Sequence, residues 1–276
     1  MLLEICAYLS LNDAIQAFSS RILVHLGQSD GKFHIIEPCE SHFDVIQQRI
    51  KPEQIVSFTA NANQLLLTMI QEYFRESKEV LSLTLIDLQM LESVSQYGVY
   101  FPNLIRLSLR YDNEIGLNVM KNIFRYLPRS IRRLEIHCTR VLCPHYEREQ
   151  YDMFDIFACS LYVTYLLLDL DQFPLISMEE CYQEYQTCFL RTLTEFVKHM
   201  SWLKYLHLIV NQYDLDNLMN MEQWRGLVFN CRYLRKVKLQ ILANVADSEI
   251  LSRKILQWRN QWKEEITNVT LRFLLN

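Results

Sequence analysis

Phe101-Pro102-Asn103-Leu104-Ile105-Arg106-Leu107-Ser108-Leu109 decides how the rest of the chain is read. Its core is a leucine, two variable residues, an apolar residue, one variable residue and a final leucine. Side chains alternate faces along a strand, so Leu107 and Leu109 point one way while Arg106, Ser108 and Arg110 point the other. Leu104 fits a turn-in position just ahead of the strand, after the proline that ends the preceding segment.

The template returns. Ile55, Phe58 and Ala60 fill it, then Val80, Leu83 and Leu85, the quoted stretch itself, and Ile131, Leu134 and Ile136. Four further copies follow: Val163, Leu166, Leu168; Leu203, Leu206, Leu208; Leu234, Val237, Leu239; and Ile266, Val269, Leu271. Most intervals hold a helical stripe. Leu66, Met69, Ile70 and Phe74 form one, and Leu117, Met120, Phe124 and Leu127 another. Ser177 and Glu180 have capping-box spacing before a third, with Tyr182, Phe189 and Met200 inward; the last two are Leu218, Met221, Trp224 and Leu251, Ile255, Trp258, Trp262. The fold class expected is α/β, a solenoid with a parallel sheet and outer helices. An ordinary α/β domain with a parallel sheet is the alternative.

From about residue 51 to 276 the chain resembles the leucine-rich-repeat family in degenerate form. That family's turn asparagine falls eight positions after the first apolar residue. Asn63 and Asn211 occupy it here, Asp112 and Asp171 substitute for it, and Leu88, Leu242 and Leu274 do not. The last strand has no polar cap after it, so it is expected to pack closely on the Trp258/Trp262 helix.

At the front, Leu2-Leu3-Glu4-Ile5-Cys6-Ala7-Tyr8-Leu9 and Asp13-Ala14-Ile15-Gln16-Ala17-Phe18 have the spacing of two short helices, the second opened by an N-terminal carboxylate. Residues 1–26 resemble an F-box that is N-terminally truncated, since the family's Leu-Pro pair ahead of the first helix is absent. Residues 27–50, with Asp30-Gly31 and Pro38, read as a connector and cap. The F-box resemblance implies a substrate-recognition subunit of a cullin-type ubiquitin ligase that docks on a Skp-family adaptor through Leu3, Ile5, Leu9 and Ile15. A repeat scaffold with no ligase role is the second reading.

Composition sets bounds on both. The chain has 276 residues, half of them apolar, few glycines and prolines, and a formal charge of −4. That favours ordered structure and offers no general attraction for nucleic acid or an anionic membrane. Apolar runs such as Val163 to Leu168 are too short to span a bilayer. Eight scattered cysteines and an N-terminus without a basic region suit an intracellular protein, cytoplasmic or nuclear. Asn268-Val269-Thr270 matches a glycosylation sequon inside an expected strand and is read as coincidence.

Chemistry is not signalled. There is no phosphate-binding glycine loop and no nucleophile elbow, and Glu147, Glu149, Asp152 and Asp155 read as a solvated face. His137, Cys138, Cys143 and His145, and the smaller group His34, Cys39 and His42, have metal-like composition. They lack the paired-cysteine spacing of a zinc site, and His137 and Cys138 would face opposite ways on one strand. No cofactor, no metal and no enzymatic activity are expected. The remaining candidate is the face the strands present, with Arg106, Arg110, Arg133, Tyr165, Tyr205, His207, Lys236 and Lys238 toward an acidic and apolar protein partner. The competing reading is that these are simply solvated strand residues.

Overall fold

A computed structural model describes residues 32–36, 44, 46–48, 50–61, 80–86, 103–115, 127–141, 162–169, 193–194, 197, 200–211, 218–242 and 248–275. The F-box-like segment, with Leu3, Ile5, Leu9 and Ile15, lies outside the described residues. So do the stripe from Leu66 to Phe74, the Ser177/Glu180 box, Asn63 and Asp171, and Cys39, His42, Cys143 and His145.

The chain divides into two compact units, Met1–Arg110 with Tyr126–Ile131, and Tyr111–Arg125 with Arg132–Asn276. The fold is α/β. Its described strands are β1 Phe33–Ile36, β2 Ile55–Asn61, β3 Ser82–Ile86, β4 Arg106–Ile115, β5 Arg133–Val141, β6 Tyr165–Asp169, β7 Tyr205–Asn211, β8 Lys236–Leu242 and β9 Thr270–Leu275. The described helices of more than one turn are α1 Met221–Asn230 and α2 Ser248–Glu265. None of the described helices is long and apolar enough to cross a membrane.

In the first unit β1 to β4 pair in sequence order, every pair parallel. Phe58, Leu83 and Leu107 sit side by side in register and are buried. The turn-in residues Val80 and Leu104 are buried too, each just ahead of its strand. Strand β1 is a correction, because Gly27 to Ser41 read as connector. Phe33 and Ile35 are buried while His34 and Ile36 are exposed, a clean alternation, but four residues without the leucine template are too few to distinguish strand from loop. Ile46 and Ile50, from the expected cap, are buried.

In the second unit β5 to β9 form a second parallel ladder, again in sequence order. Leu134, Leu166, Leu206, Val237 and Leu271 make one cross-strand row, and Ile136, Leu168, Leu208, Leu239 and Phe273 the next. Parallel strands need a crossover, and the helices between them supply the cover. On α1, Met221, Trp224 and Leu227 are buried; on α2, Leu251, Ile255, Trp258 and Trp262 form the expected stripe. Asn220 caps α1, its Oδ1 accepting from the Gln223 N–H at 3.2 Å.

Three indoles close the rear of this unit. Trp224 lies 5.2 Å from Trp262 and 6.2 Å from Trp258 between ring centroids, and Trp258 meets Phe273 of β9 edge-on at 5.4 Å. Each indole N–H finds an acceptor: Trp224 donates to the Leu218 carbonyl, Trp258 to the Met221 thioether and Trp262 to the Val269 carbonyl. The expected packing of the last strand on the Trp258/Trp262 helix is therefore present.

The phase of that strand differs from the template. Val237 pairs with Leu271 and Leu239 with Phe273, so the last repeat begins two residues later than Ile266. Ile266 and Val269 instead finish the end of α2, the Ile266 N–H bonding the Trp262 carbonyl at 2.8 Å. A two-residue slip keeps every side chain on its face, which is why an alternation pattern cannot detect it.

Candidate functional site: the polar face of strands β5 to β9

Opposite the leucine rows, register builds three polar rows. Arg133, Tyr165, Tyr205, Lys236 and Thr270 form the first. Glu135, Leu167, His207, Lys238 and Arg272 form the second, and His137, Asp169, Ile209, Gln240 and Leu274 the third. Neighbouring members lie about 4.8 Å apart, the spacing of paired strands. Six residues expected on the partner face thus converge here: Arg133, Tyr165, Tyr205, His207, Lys236 and Lys238. Arg106 and Arg110 are exposed on the same face of β4 in the first unit, on either side of the buried Ser108. The slip in β9 brings Thr270, Arg272 and Leu274 beside Lys236, Lys238 and Gln240, where a repeat starting at Ile266 would put Asn268, Thr270 and Arg272.

A continuous polar chain crosses the face. The Arg133 Nε–H donates to Glu135 Oε1 at 2.6 Å, and the guanidinium stands 4.2 Å from the Tyr165 ring centroid. Both contacts suit a planar, weakly hydrated cation. The Tyr165 hydroxyl lies 3.1 Å from His207 Nδ1, and His207 Nε2 lies 3.3 Å from Gln240 Oε1, which also accepts from Lys238 Nζ at 3.5 Å. An amide oxygen only accepts, so Nε2 carries the imidazole proton and Nδ1 accepts from the tyrosine. Burial and the Lys238 charge lower the His207 pKa, which agrees with a neutral ring.

The third row holds a separate pair, His137 Nδ1 and Asp169 Oδ2 at 2.8 Å. Asp169 Oδ1 is buried and has no hydrogen-bond partner among the described residues. Cys138 faces the leucine side and is buried, so it cannot act with His137. Among the described residues no three His, Cys, Asp or Glu side chains gather as a metal site, and His34 is exposed on β1.

Sequence reading passed over one group of residues. Tyr162, Trp202 and Tyr233 each precede a repeat's first apolar residue, and they stack in a ladder at the strands' N-terminal edge. Their signal in the sequence is an aromatic at one fixed offset, directly before the residue that opens the strand template. No family model and no curated protein matches this chain.

Proposed function

We propose that the protein is a non-catalytic binding subunit, a leucine-rich-repeat-like solenoid whose strand face holds a protein substrate. By the resemblance of residues 1–26 to an F-box, it would deliver that substrate to a Skp-family adaptor of a cullin-type ubiquitin ligase. The observation that carries the binding role is the gathering of Arg133, Tyr165, Tyr205, His207, Lys236 and Lys238 on one face of four strands. Arginine and tyrosine supply much of the energy at protein interfaces, and the polar chain restrains Arg133 and Tyr165 before a partner arrives. The cations call for an acidic partner; the half-buried Ile209 offers apolar footing among them. Such a subunit performs no chemistry and accelerates transfer by raising the substrate's effective concentration.

Mixing the purified full chain with a Skp-family adaptor and separating by size tests the ligase role. Co-elution is expected, and Ile5→Asp with Leu9→Asp should abolish it. No co-elution would leave a protein-binding scaffold as the reading. Charge reversal at Arg133 and Lys236, both on the face of the second unit, addresses the face; unchanged capture of the substrate would rule the face out.

A further inference from the structure

The N-terminal edge of β5 to β8 carries a composition unlike the rest of the chain. Residues 132–133, 162–165, 200–205 and 231–236 contain no aspartate or glutamate in a protein whose net charge is −4. They carry Arg132, Arg133, Lys204, Arg232, Arg235 and Lys236 instead. Arg132, Lys204 and Arg235 each stand immediately before a strand. Backbone bonds string them together: the Thr164 N–H reaches the Arg132 carbonyl, Lys204 reaches Thr164, and Arg235 reaches Lys204, all within 2.9 Å. Lys204, Arg232 and Arg235 are exposed and have no ion-pair partner among the described residues. Like charges at neighbouring strand positions oppose folding, so this arrangement is not explained by stability.

The aromatic ladder runs along the same edge. Trp202 and Tyr233 stack at 5.1 Å with planes 7° apart, Tyr162 and Trp202 at 6.4 Å, and the Arg132 guanidinium covers Tyr162 at 5.0 Å. Even so, Tyr162, Trp202 and Tyr233 remain 49%, 43% and 42% exposed. Between them the three rings carry two hydroxyls and an indole N–H, groups that donate to carboxylates.

We infer that this edge is a docking surface for an acidic, extended polypeptide segment running across the strands along Tyr162, Trp202 and Tyr233. A single-stranded nucleic acid would need successive free ring faces for its bases, and the ladder uses four of its six on its own stacking. Carboxylates need only cations and donors, which the edge supplies. From β5 to β8 is three strand spacings, about 14 Å, which about five extended residues cover with acidic side chains at alternate positions. The edge also runs directly into Lys236 and Lys238 of the strand face. It would serve a scaffold and a ligase subunit equally, and adaptor binding and edge binding are measured separately.

Trp202 reports on this surface, because Trp224, Trp258 and Trp262, the other three tryptophans of the chain, are buried. The full chain is titrated with an oligo-glutamate of about a dozen residues, longer than the span requires, and acrylamide quenching of tryptophan fluorescence is followed. Saturable protection that weakens with added salt is expected. Lys204→Glu with Arg235→Glu should weaken binding at least about tenfold, the neutral pair Lys204→Gln with Arg235→Gln less so, and Arg259→Glu on the exposed side of α2 by no more than about twofold. Circular dichroism confirms that each variant is folded. Protection by a single-stranded oligonucleotide but not by oligo-glutamate would overturn the inference in favour of nucleic acid. Protection by neither, or equal binding by the charge-reversed chain, would overturn it outright and leave the ladder a structural seal.

Discussion

Trp262→Phe should loosen the last strand in a way that Trp258→Phe does not. Both indoles are buried, and both substitutions remove about 40 Å² of apolar surface, about 1 kcal/mol of transfer free energy. They differ in what they leave behind. Trp258 donates to the Met221 thioether, a weak acceptor whose loss costs little. Trp262 donates at 2.9 Å to the carbonyl of Val269, the residue directly before β9, and Val269 is buried. Leaving that carbonyl unsatisfied adds about 1 to 3 kcal/mol. The expected costs are therefore about 2 to 4 kcal/mol for Trp262→Phe and about 1 to 2 kcal/mol for Trp258→Phe. Denaturant unfolding followed by far-ultraviolet circular dichroism measures the difference. Hydrogen exchange across residues 270–275 should show lost protection in Trp262→Phe first, because the bond holds the start of β9. Losing β9 also removes Arg272 from beside Lys238 on the strand face. Costs equal within about 0.5 kcal/mol, with β9 protection unchanged, would show that the Val269 bond does not anchor the strand.

His207 titrates below its ordinary value because burial and Lys238 disfavour its charged form. The unfolded chain binds that proton more readily, so stability is full above about pH 6.5, the unfolded value, and falls as pH drops through the folded one; His207→Gln should flatten the slope of the unfolding midpoint there. Burial pushes the Cys231 thiol up to about 12, and its Sγ sits 3.6 Å from the Val197 carbonyl. Alkylation at neutral pH should therefore modify Cys231 only after denaturant is added, as peptide mass mapping would read. Arg133→Lys keeps the charge but loses the planar stacking on Tyr165 and the guanidinium bond to the buried Glu135. A double-mutant cycle with Glu135→Gln should give a coupling of about 1 to 3 kcal/mol, and a value near zero would remove Arg133 from the polar chain.

The parallel α/β architecture was legible because it rests on local pattern. An apolar residue, then two more at offsets three and five, is enough to set which side chains turn inward at Leu104, Val163, Leu203 and Leu234, and all four are buried. The α2 stripe was legible for the same reason, since helical spacing alone places Leu251, Ile255, Trp258 and Trp262 together. Strand β1 was not, because four residues carry too little pattern. Its strand character comes from the parallel bonds that β2 offers it.

Alternation also told which residues share the polar face, placing Arg133, Tyr165, His207 and Lys238 there. It carried no information about who touches whom. The link from Tyr165 through His207 to Gln240 spans residues 42 and 33 positions apart. It exists only because register aligns β6, β7 and β8. Register likewise placed Arg272, not Thr270, on the face beside Lys238, since a two-residue slip is silent in a pattern of period two. Sequence by itself determined the periodicity and hence the two faces of the strands. Tertiary structure alone decided the register, the neutral state of His207 and the aromatic edge, because contacts between distant residues depend on how strands align, which no local pattern encodes.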